Sequence, residues 1–523
     1  MIRNRNPRRS TRSATHTATR RAAALLLAGS VALALTGCFS AAAPSTSATD
    51  GDDARISLAM LQPPRSGLSP LSDDAFKLSR WSTAETLVVL DDNGDAQPGL
   101  ATAWEQVSDT EWRFTIRSGV TFHDGTDLTA ERVAASLTAA AQASPLPRIL
   151  NGVELTATAD GDEVIVTTAN RDPLVPQRLS SPQLAILAEA AYGADGVVDP
   201  VGHGTGPFVL TDVDGTAGAT LDRYDDYWGE PATAAGIDVT FVPDGTARAA
   251  ALRTGTADVV EAIPVGQVAQ IEAELIHEVP MPRTNTLYLN TESGPFADPA
   301  VRAAAAAAIE RATIVATVYE GRADVAEGLL GPALPWAADL RDTSAYEDEL
   351  AAGTTTPTTV DGVSISLGTF TDRAELPEVA VLIEQQLEAA GFIVEQDVRE
   401  YQFIEADALD GAFDAFILSR ATIIDSGDPV AYLASDFSCD GTFNISQFCD
   451  PEVDALIAKA SETDAGDERR AAIMQAEAAI LSQNAAIPLL HERVIQGEAA
   501  GVSGVDRDPS ERTLITTQSS VIR

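Results

Sequence analysis

The sequence predicts an α/β protein built on mixed sheets, and three local patterns carry that reading. Trp112, Phe114 and Ile116 alternate with Arg113, Thr115 and Arg117, the period-two pattern of a strand with one buried face. Asp298-Pro299 and Asp450-Pro451 each place a capping carboxylate before a proline at the first helical position. Residues 378–390 have helical periodicity, Gly391 stops them, and Phe392 to Val398 reads as the next strand, an α-to-β step.

In chain order, residues 1–21 hold seven arginines and no acid, and residues 22–34 are almost wholly apolar, ending at Leu35-Thr36-Gly37-Cys38. A basic start, a short apolar stretch and a small-residue exit predict an export signal over residues 1–37, too short to span a bilayer. Arg20-Arg21 leaves Sec and twin-arginine export both open. Residues 38–54 are mostly small or polar (Ala, Ser, Thr, Pro, Gly, Asp), cannot build a core, and read as a flexible tether. One continuous globular body follows from about residue 55. Trp112 to Val120 forms a strand, Asp124-Gly125 a turn, and Thr129 caps a helix from Ala130 to about Ala141, with Glu131 in its first turn. Asp298-Pro299 opens an alanine-rich helix expected to run to Tyr319 and stop at Gly321, and Asp450-Pro451 opens another.

Composition limits what this body does. Of 523 residues, 45% are hydrophobic and 21% charged, which suits a packed globular chain of about two to four domains, or one large bilobal body. Acids outnumber bases 77 to 35, and the formal net charge of −42 repels phosphate backbones, which excludes nucleic acid as a partner. Lys77 and Lys459 are the only lysines and neither follows a glycine, so the chain carries no Walker A loop. His123, His203, His277 and His491 are never three to five residues apart, and His491-Glu492 lacks a second histidine because position 495 is Ile495. Gly202-x-Gly204-x-Gly206 is followed by Pro207 and a strand-like run where a dinucleotide loop needs a helix. No Gly-x-Ser-x-Gly elbow occurs, and Asp73-Asp74 and Asp91-Asp92 sit in turn-like contexts. No catalytic residue, cofactor or metal site is therefore predicted. Cys439 and Cys449 form a disulfide in an oxidising compartment, the alternative being two unpaired buried thiols.

A longer series of motifs carries a resemblance. It comprises Glu85-Thr86-Leu87, Asp91 to Gly94, Pro98-x-Leu100-Ala101-x-x-Trp104-Glu105, Phe114-x-Ile116-Arg117, Val120-x-Phe122-His123-Asp124-Gly125 and Leu128-Thr129-Ala130. Further on come Gly204-Thr205-Gly206-Pro207-Phe208, Tyr227-Trp228-Gly229, Leu252-x-x-Gly255-x-x-Asp258-Val259, Phe296-x-Asp298-x-x-Val301-Arg302 and Ile309-Glu310-Arg311. Gly411-x-Phe413-Asp414-Ala415, Asp428-Pro429, Asn444-x-Ser446 and Pro451-Glu452-Val453-Asp454 complete it. Over about residues 56–500 the chain resembles the family 5 extracytoplasmic solute-binding proteins, the oligopeptide-, dipeptide- and nickel-binding receptors of ABC importers. Leu35-Thr36-Gly37-Cys38 is similar to a bacterial lipobox, which implies diacylation of Cys38 and a lipid anchor on the outer face of the cell membrane.

The resemblance implies a two-lobed periplasmic-binding-protein-like fold, with an extra subdomain on the first lobe and an interlobe hinge. Residues 55–84, 200–284 and 481–523 would form the first lobe, 85–199 the added subdomain and 285–480 the second lobe. The chain would cross between lobes at Thr284, Asn285 and Thr286 and return near 478–484. Trp104, Trp112, Phe114 and Phe122 are expected to be core, and His123-Asp124-Gly125 structural.

The implied function is capture of a small solute, a peptide first, in the cleft, as a monomer that hands it to an ABC permease and its separate ATPase. Asp425, four residues before Pro429, would pair with a peptide's α-amino group or else shape the Ser426-Gly427 turn. Ala421, Thr422 and Ile423 would offer backbone pairing to an extended solute. Arg420 would meet a carboxylate or form a salt bridge within its lobe. Thr422 stands where the family has Trp, and Leu68-Ser69-Pro70 where it has Leu-Asp-Pro, so a nickel chelate or another small solute remains the alternative. A secreted hydrolase or adhesin of the same ancestry is the reading from another class. The loop from Asp436 to Asp450 resembles dipeptide-receptor versions in which two cysteines bracket an Asn and a Ser, which implies the Cys439–Cys449 bridge.

Overall fold

The computed structural model describes residues 54–193, 196–423 and 426–522; Cys38, the export signal and Asp425 lie outside the described residues. Its backbone is one large mixed sheet with two small hydrophobic bodies on one end and a larger one on the other. From one edge the strands are Phe392–Arg399, Val363–Phe370, Ala415–Ala421, Ile276–Leu289, Ala486–Glu498, Val259–Val260, Arg55–Met60, Gly236–Phe241, Gly218–Arg223 and Phe208–Asp214. The short strand Ala323–Val325 also pairs with Ala486–Glu498. Parallel and antiparallel pairs both occur along this sheet, in runs of two or three, so the sheet is mixed as expected.

Two strands are long enough to belong to both ends. Leu287 to Leu289 and Ala486 to Leu490 pack in the second lobe's core with Phe370, Phe416, Tyr432 and Phe437. At their other ends, Ile276 and Ile495 join Leu252, Val260 and Ile263 in the first lobe. The rest of that lobe centres on Ile56, Leu58, Trp81, Phe208 and Ile237. A separate four-stranded antiparallel sheet of Ala101–Ser108, Glu111–Ile116, Glu163–Thr168 and Leu155–Asp160 carries the helix Ala130–Ala141 and its own core. Phe114 and Phe122 are fully buried there, each a core contribution of about 1.5–3 kcal/mol, while Trp112 is buried and Trp104 half-buried against the same core.

The capping signals produce the expected starts. The Thr129 side chain accepts from Arg132 N, Asp298 from Ala300 N and Asp450 from Glu452 N. The alanine-rich helix, however, is not continuous to Tyr319. It ends at Ala308, Ile309 and Glu310 are extended, and a second helix runs from Arg311 to Val318. Contacts from distant segments hold the break: Glu310 N donates to Gln386 Oε1 at 2.9 Å and Arg311 Nε to the Pro488 carbonyl at 2.7 Å. Residues 478–482 likewise do not cross between lobes; they end the helix Asp467–Ser482, and the chain returns further on, along Ala486–Glu498.

Gly204 and Gly206 are structural. A Cβ on either would collide with the Thr83 or Ser82 carbonyl, and the chain continues into the strand Phe208–Asp214, not a helix. Cys439 and Cys449 form a disulfide. Inside its loop, Asn444 Nδ2 donates to the Phe448 carbonyl at 2.6 Å and Asn444 Oδ1 accepts from Phe448 N at 3.0 Å.

Two histidines give the fold a defined acid sensitivity. Burial lowers His123 and His491 to about 4, against about 6.5 in an unfolded chain. His123 also feels His203 and Asp124, and His491 feels Arg341 and Asp324. The unfolded state then binds more protons below pH 6.5, so stability is full above about pH 6.5 and falls towards pH 4, by up to about 3 kcal/mol for each histidine. Urea denaturation at pH 7.0 and 4.5 measures the loss. A His123→Asn/His491→Gln variant should lose markedly less, and an equal loss would contradict the assignment.

Candidate functional site

The two long strands meet at the centre of the molecule, and their pairing is irregular there. Register shifts fall between Pro280 and Thr284 and between Asn285 and Thr286, with Pro282 removing one donor from the ladder. Thr284, Asn285 and Thr286 are fully buried just beyond this irregularity. Thr284 Oγ1 donates to the Leu329 carbonyl at 2.7 Å, so its 2.9 Å contact with His491 Nδ1 has the imidazole as donor. Asn285 Nδ2 donates to Tyr319 Oη at 2.7 Å. Polar side chains thus lock the second-lobe side of the crossing, while Pro280 to Arg283 are held by fewer sheet bonds.

Around this crossing, charged residues from both lobes converge. Arg80 pairs with Glu261, whose Oε2 accepts from Leu61 N at 2.7 Å. Arg373 Nη1 is 2.7 Å from Glu492 Oε2, and the other oxygen of Glu492 accepts from Ser419. Arg420 binds Asp436 through two 2.7 Å bonds and lies 4.3 Å from the Phe443 ring centroid. Burial opposes the Arg420 charge, but the Asp436 bonds outweigh it and hold the guanidinium above its ordinary range. Arg283 is the ladder partner of Ala421, and Thr422 N donates to the Pro282 carbonyl at 2.9 Å.

The residues read from sequence are therefore drawn together unevenly. Arg420 and Ala421 end the strand Ala415–Ala421 beside the crossing, and Thr422 and Ile423 lie in the bend just beyond it. The Arg420 guanidinium is engaged by Asp436, and the Thr422 amide by Pro282. Sequence reasoning missed Arg80, Glu261, Arg283, Arg373, Glu492 and Glu511 as charged groups of one site, and they come from six separate segments. The one local signal was Pro280-Met281-Pro282, two prolines interrupting a strand pattern beside Arg283.

Away from the crossing the lobes meet again at a seam. Arg470 Nη2 is 2.6 Å from Asp95 Oδ1 and 3.2 Å from the Asn93 carbonyl, and Arg171 Nη2 is 2.5 Å from Asp464 Oδ1. Gly94 and Gly427 face each other here, both at positive φ; a Cβ on Gly94 would stand 3.3 Å from the Gly427 carbonyl oxygen. Two bodies joined by a strand crossing, with ion pairs of both beside it and a second contact at the rim, have the layout of a two-lobed binding protein.

Residues 95–444 match the bacterial extracellular solute-binding proteins, family 5 Middle, and the chain belongs to that family. Its members are solute-binding receptors of ABC importers. The chain is 26% identical over 444 residues to the nickel-binding protein NikA of Staphylococcus aureus, covering 83% of this chain and 86% of that one. It is 26% identical over 463 residues to a probable di/tripeptide-binding protein of Pseudomonas aeruginosa, covering 80% and 86%. The crystal structure of a nickel ABC transporter protein from Bacillus halodurans superposes with a TM-score of 0.77 at 26% identity, covering 90% of this chain and all of that one.

Proposed function

We propose that this receptor captures a short peptide between its lobes and delivers it to a membrane permease whose separate ATPase drives import, working as a monomer held to the membrane by a diacylated Cys38. The observation that carries the reading is the ring of charged side chains contributed by both lobes around the strand crossing, which suits a polar solute and the closure such a solute would drive. Residues 55–84, 200–284 and the segment after the return crossing make the first lobe, 85–199 its added subdomain, and 285–480 the second lobe. Thr284, Asn285 and Thr286 form the second-lobe shoulder of the hinge.

Within this reading Asp425 pairs with the peptide's ammonium group, in a cleft whose low dielectric strengthens the bond. Thermal-shift measurement with a di- and tripeptide panel tests the function, since binding raises the melting temperature by mass action. Asp425→Asn should weaken peptides with a free amino terminus by about tenfold or more and spare N-acetylated ones. Equal weakening of both would remove the amino-recognition role.

A nickel chelate is the second reading, favoured by the nickel-binding relative. Among the described residues no group of three His, Cys, Asp or Glu stands together to hold a metal ion, so the metal would enter as a chelate held through arginines. Mass spectrometry and metal analysis of the solute that co-purifies with the protein distinguish the two.

A further inference from the structure

Both neighbours of the return strand Ala486–Glu498 change at one place. On one side, Met281, Pro282 and Arg283 stand opposite the single residue Glu492, because Pro280 pairs with Arg493 and Thr284 with His491. On the other side, the return strand pairs with the second-lobe strand Ala323–Val325 up to Glu492 and with the first-lobe strand Val259–Val260 from Gly497. A ladder bulged on one side and changing partner on the other has few regular bonds there, so bending it costs least at that point.

Four charged side chains bridge the same point. Arg493 Nε donates to Asp324 Oδ2 at 2.9 Å and its Nη1 to Glu278 Oε2 at 2.9 Å. Arg493 Nη2 also bonds Asp324 Oδ1, and Arg322 Nη1 bonds Glu278 Oε1. The charges thus alternate in sign along Arg322, Glu278, Arg493 and Asp324 and sum to zero. Glu278 and Arg493 lie where the crossing strands enter the first lobe, two residues from Ile276 and Ile495, which pack there. Arg322 and Asp324 flank Ala323, which is buried in the second-lobe core. The Arg322–Glu278 and Asp324–Arg493 pairs therefore each run from one lobe to the other, and the Glu278–Arg493 bond ties them together.

The second-lobe half of this group is firmly placed. Tyr319 is buried in that lobe's core and its Oη accepts from Asn285 Nδ2 at 2.7 Å. Glu320 at φ +52° and Gly321 at φ +80° then turn the chain back, and Arg322 N closes the turn on the Tyr319 carbonyl at 2.8 Å. Glu320 holds a conformation that a residue with a side chain seldom adopts, so the surroundings impose the turn that brings Arg322 and Asp324 beside the return strand. The four side chains are between 23% and 29% exposed. That is too buried for loose surface pairs and open enough for dissolved salt to act on them.

We infer that Arg322, Glu278, Arg493 and Asp324 form an ionic clasp across the hinge, which holds the two lobes near their present arrangement and whose weakening lets them separate further. The inference rests on the two-lobed receptor fold and not on the choice of solute. The clasp is a second contact that biases closure, at the hinge, where the Arg470–Asp95 pair acts at the rim.

The test compares the full receptor without solute as wild type, Glu278→Gln/Asp324→Asn and Arg322→Gln. Hydrogen exchange of residues 276–286 reads the crossing itself, and small-angle scattering reads the separation of the lobes. In the double variant, exchange there should quicken about tenfold or more and the radius of gyration should grow. Arg322→Gln removes one contact, leaves Arg493 with both carboxylates, and should shift both readouts the same way by less. Raising NaCl from about 0.05 M to about 1 M should quicken exchange at the crossing in wild type and add little in the double variant. Exchange is the readout compared across salt, because the rim pair also answers to it. Unchanged exchange in the double variant, or quicker exchange with an unchanged radius of gyration, overturns the clasp, whatever happens to the melting temperature. Should the double variant not fold, an Arg322→Gln protein that matches wild type in both readouts overturns it instead. Neither readout uses a solute, so failure of the clasp leaves the peptide and nickel readings to be decided by binding.

Discussion

Arg341→Met should destabilise the folded protein by about 3–5 kcal/mol, the cost of stranding a buried carboxylate. Glu477 is fully buried and is held by four donors: Leu330 N at 2.9 Å, Arg341 Nη2 at 2.9 Å, Arg341 Nε at 3.2 Å and Tyr346 Oη at 3.0 Å. Arg341 is the only cation among them, so its removal leaves a charge with two neutral donors and no route to water. Replacing the charge as well should restore much of the loss, because burying a neutral, hydrogen-bonded group costs far less than burying an ion. Urea denaturation of Arg341→Met, of Glu477→Gln and of Arg341→Met/Glu477→Gln measures both. If the double variant were as unstable as the sum of the two single ones, the unpaired charge would not be the cause.

Arg470→Glu should shift the receptor towards separated lobes and weaken solute binding by about five- to thirtyfold. The Arg470–Asp95 pair exists only when the rim of the added subdomain touches the second lobe, so its free energy enters the closing equilibrium directly. An exposed ion pair contributes only about 0.2–1 kcal/mol, but Arg470 is mostly buried and reversal turns attraction into repulsion, which roughly doubles the swing. Small-angle scattering of the unliganded protein should show a larger radius of gyration for Arg470→Glu, and Asp95→Arg/Arg470→Glu should return it towards wild type. A variant indistinguishable from wild type in both scattering and affinity would show that the seam does not bias closure.

What the sequence revealed and what it concealed follow the range of the interactions. Helix starts at Thr129, Asp298 and Asp450 were legible because the cap and the amide it satisfies lie within three residues. The core roles of Phe114 and Phe122 were legible because alternation reports burial directly. The break at Ile309–Glu310 was not, since alanines carry little periodicity and the groups that impose it, Gln386 and Pro488, are far along the chain. At the site, Arg420 was singled out through its neighbours, but its partner Asp436 lies sixteen residues on, across a strand-to-helix turn. Arg80 and Glu261 left even less trace: a pair assembled from segments 181 residues apart has no local spacing to read.

The continuous sheet also bears on how its outer strands would meet strands of other molecules. Among the described residues the main path of this ladder ends at two terminal strands, Phe392–Arg399 and Phe208–Asp214, each paired on one side. Both are punctuated by charge, Glu395, Asp397 and Arg399 on one and Asp212 and Asp214 on the other. A foreign strand docking there would have to desolvate these charged side chains as it paired, which works against edge-to-edge polymerisation.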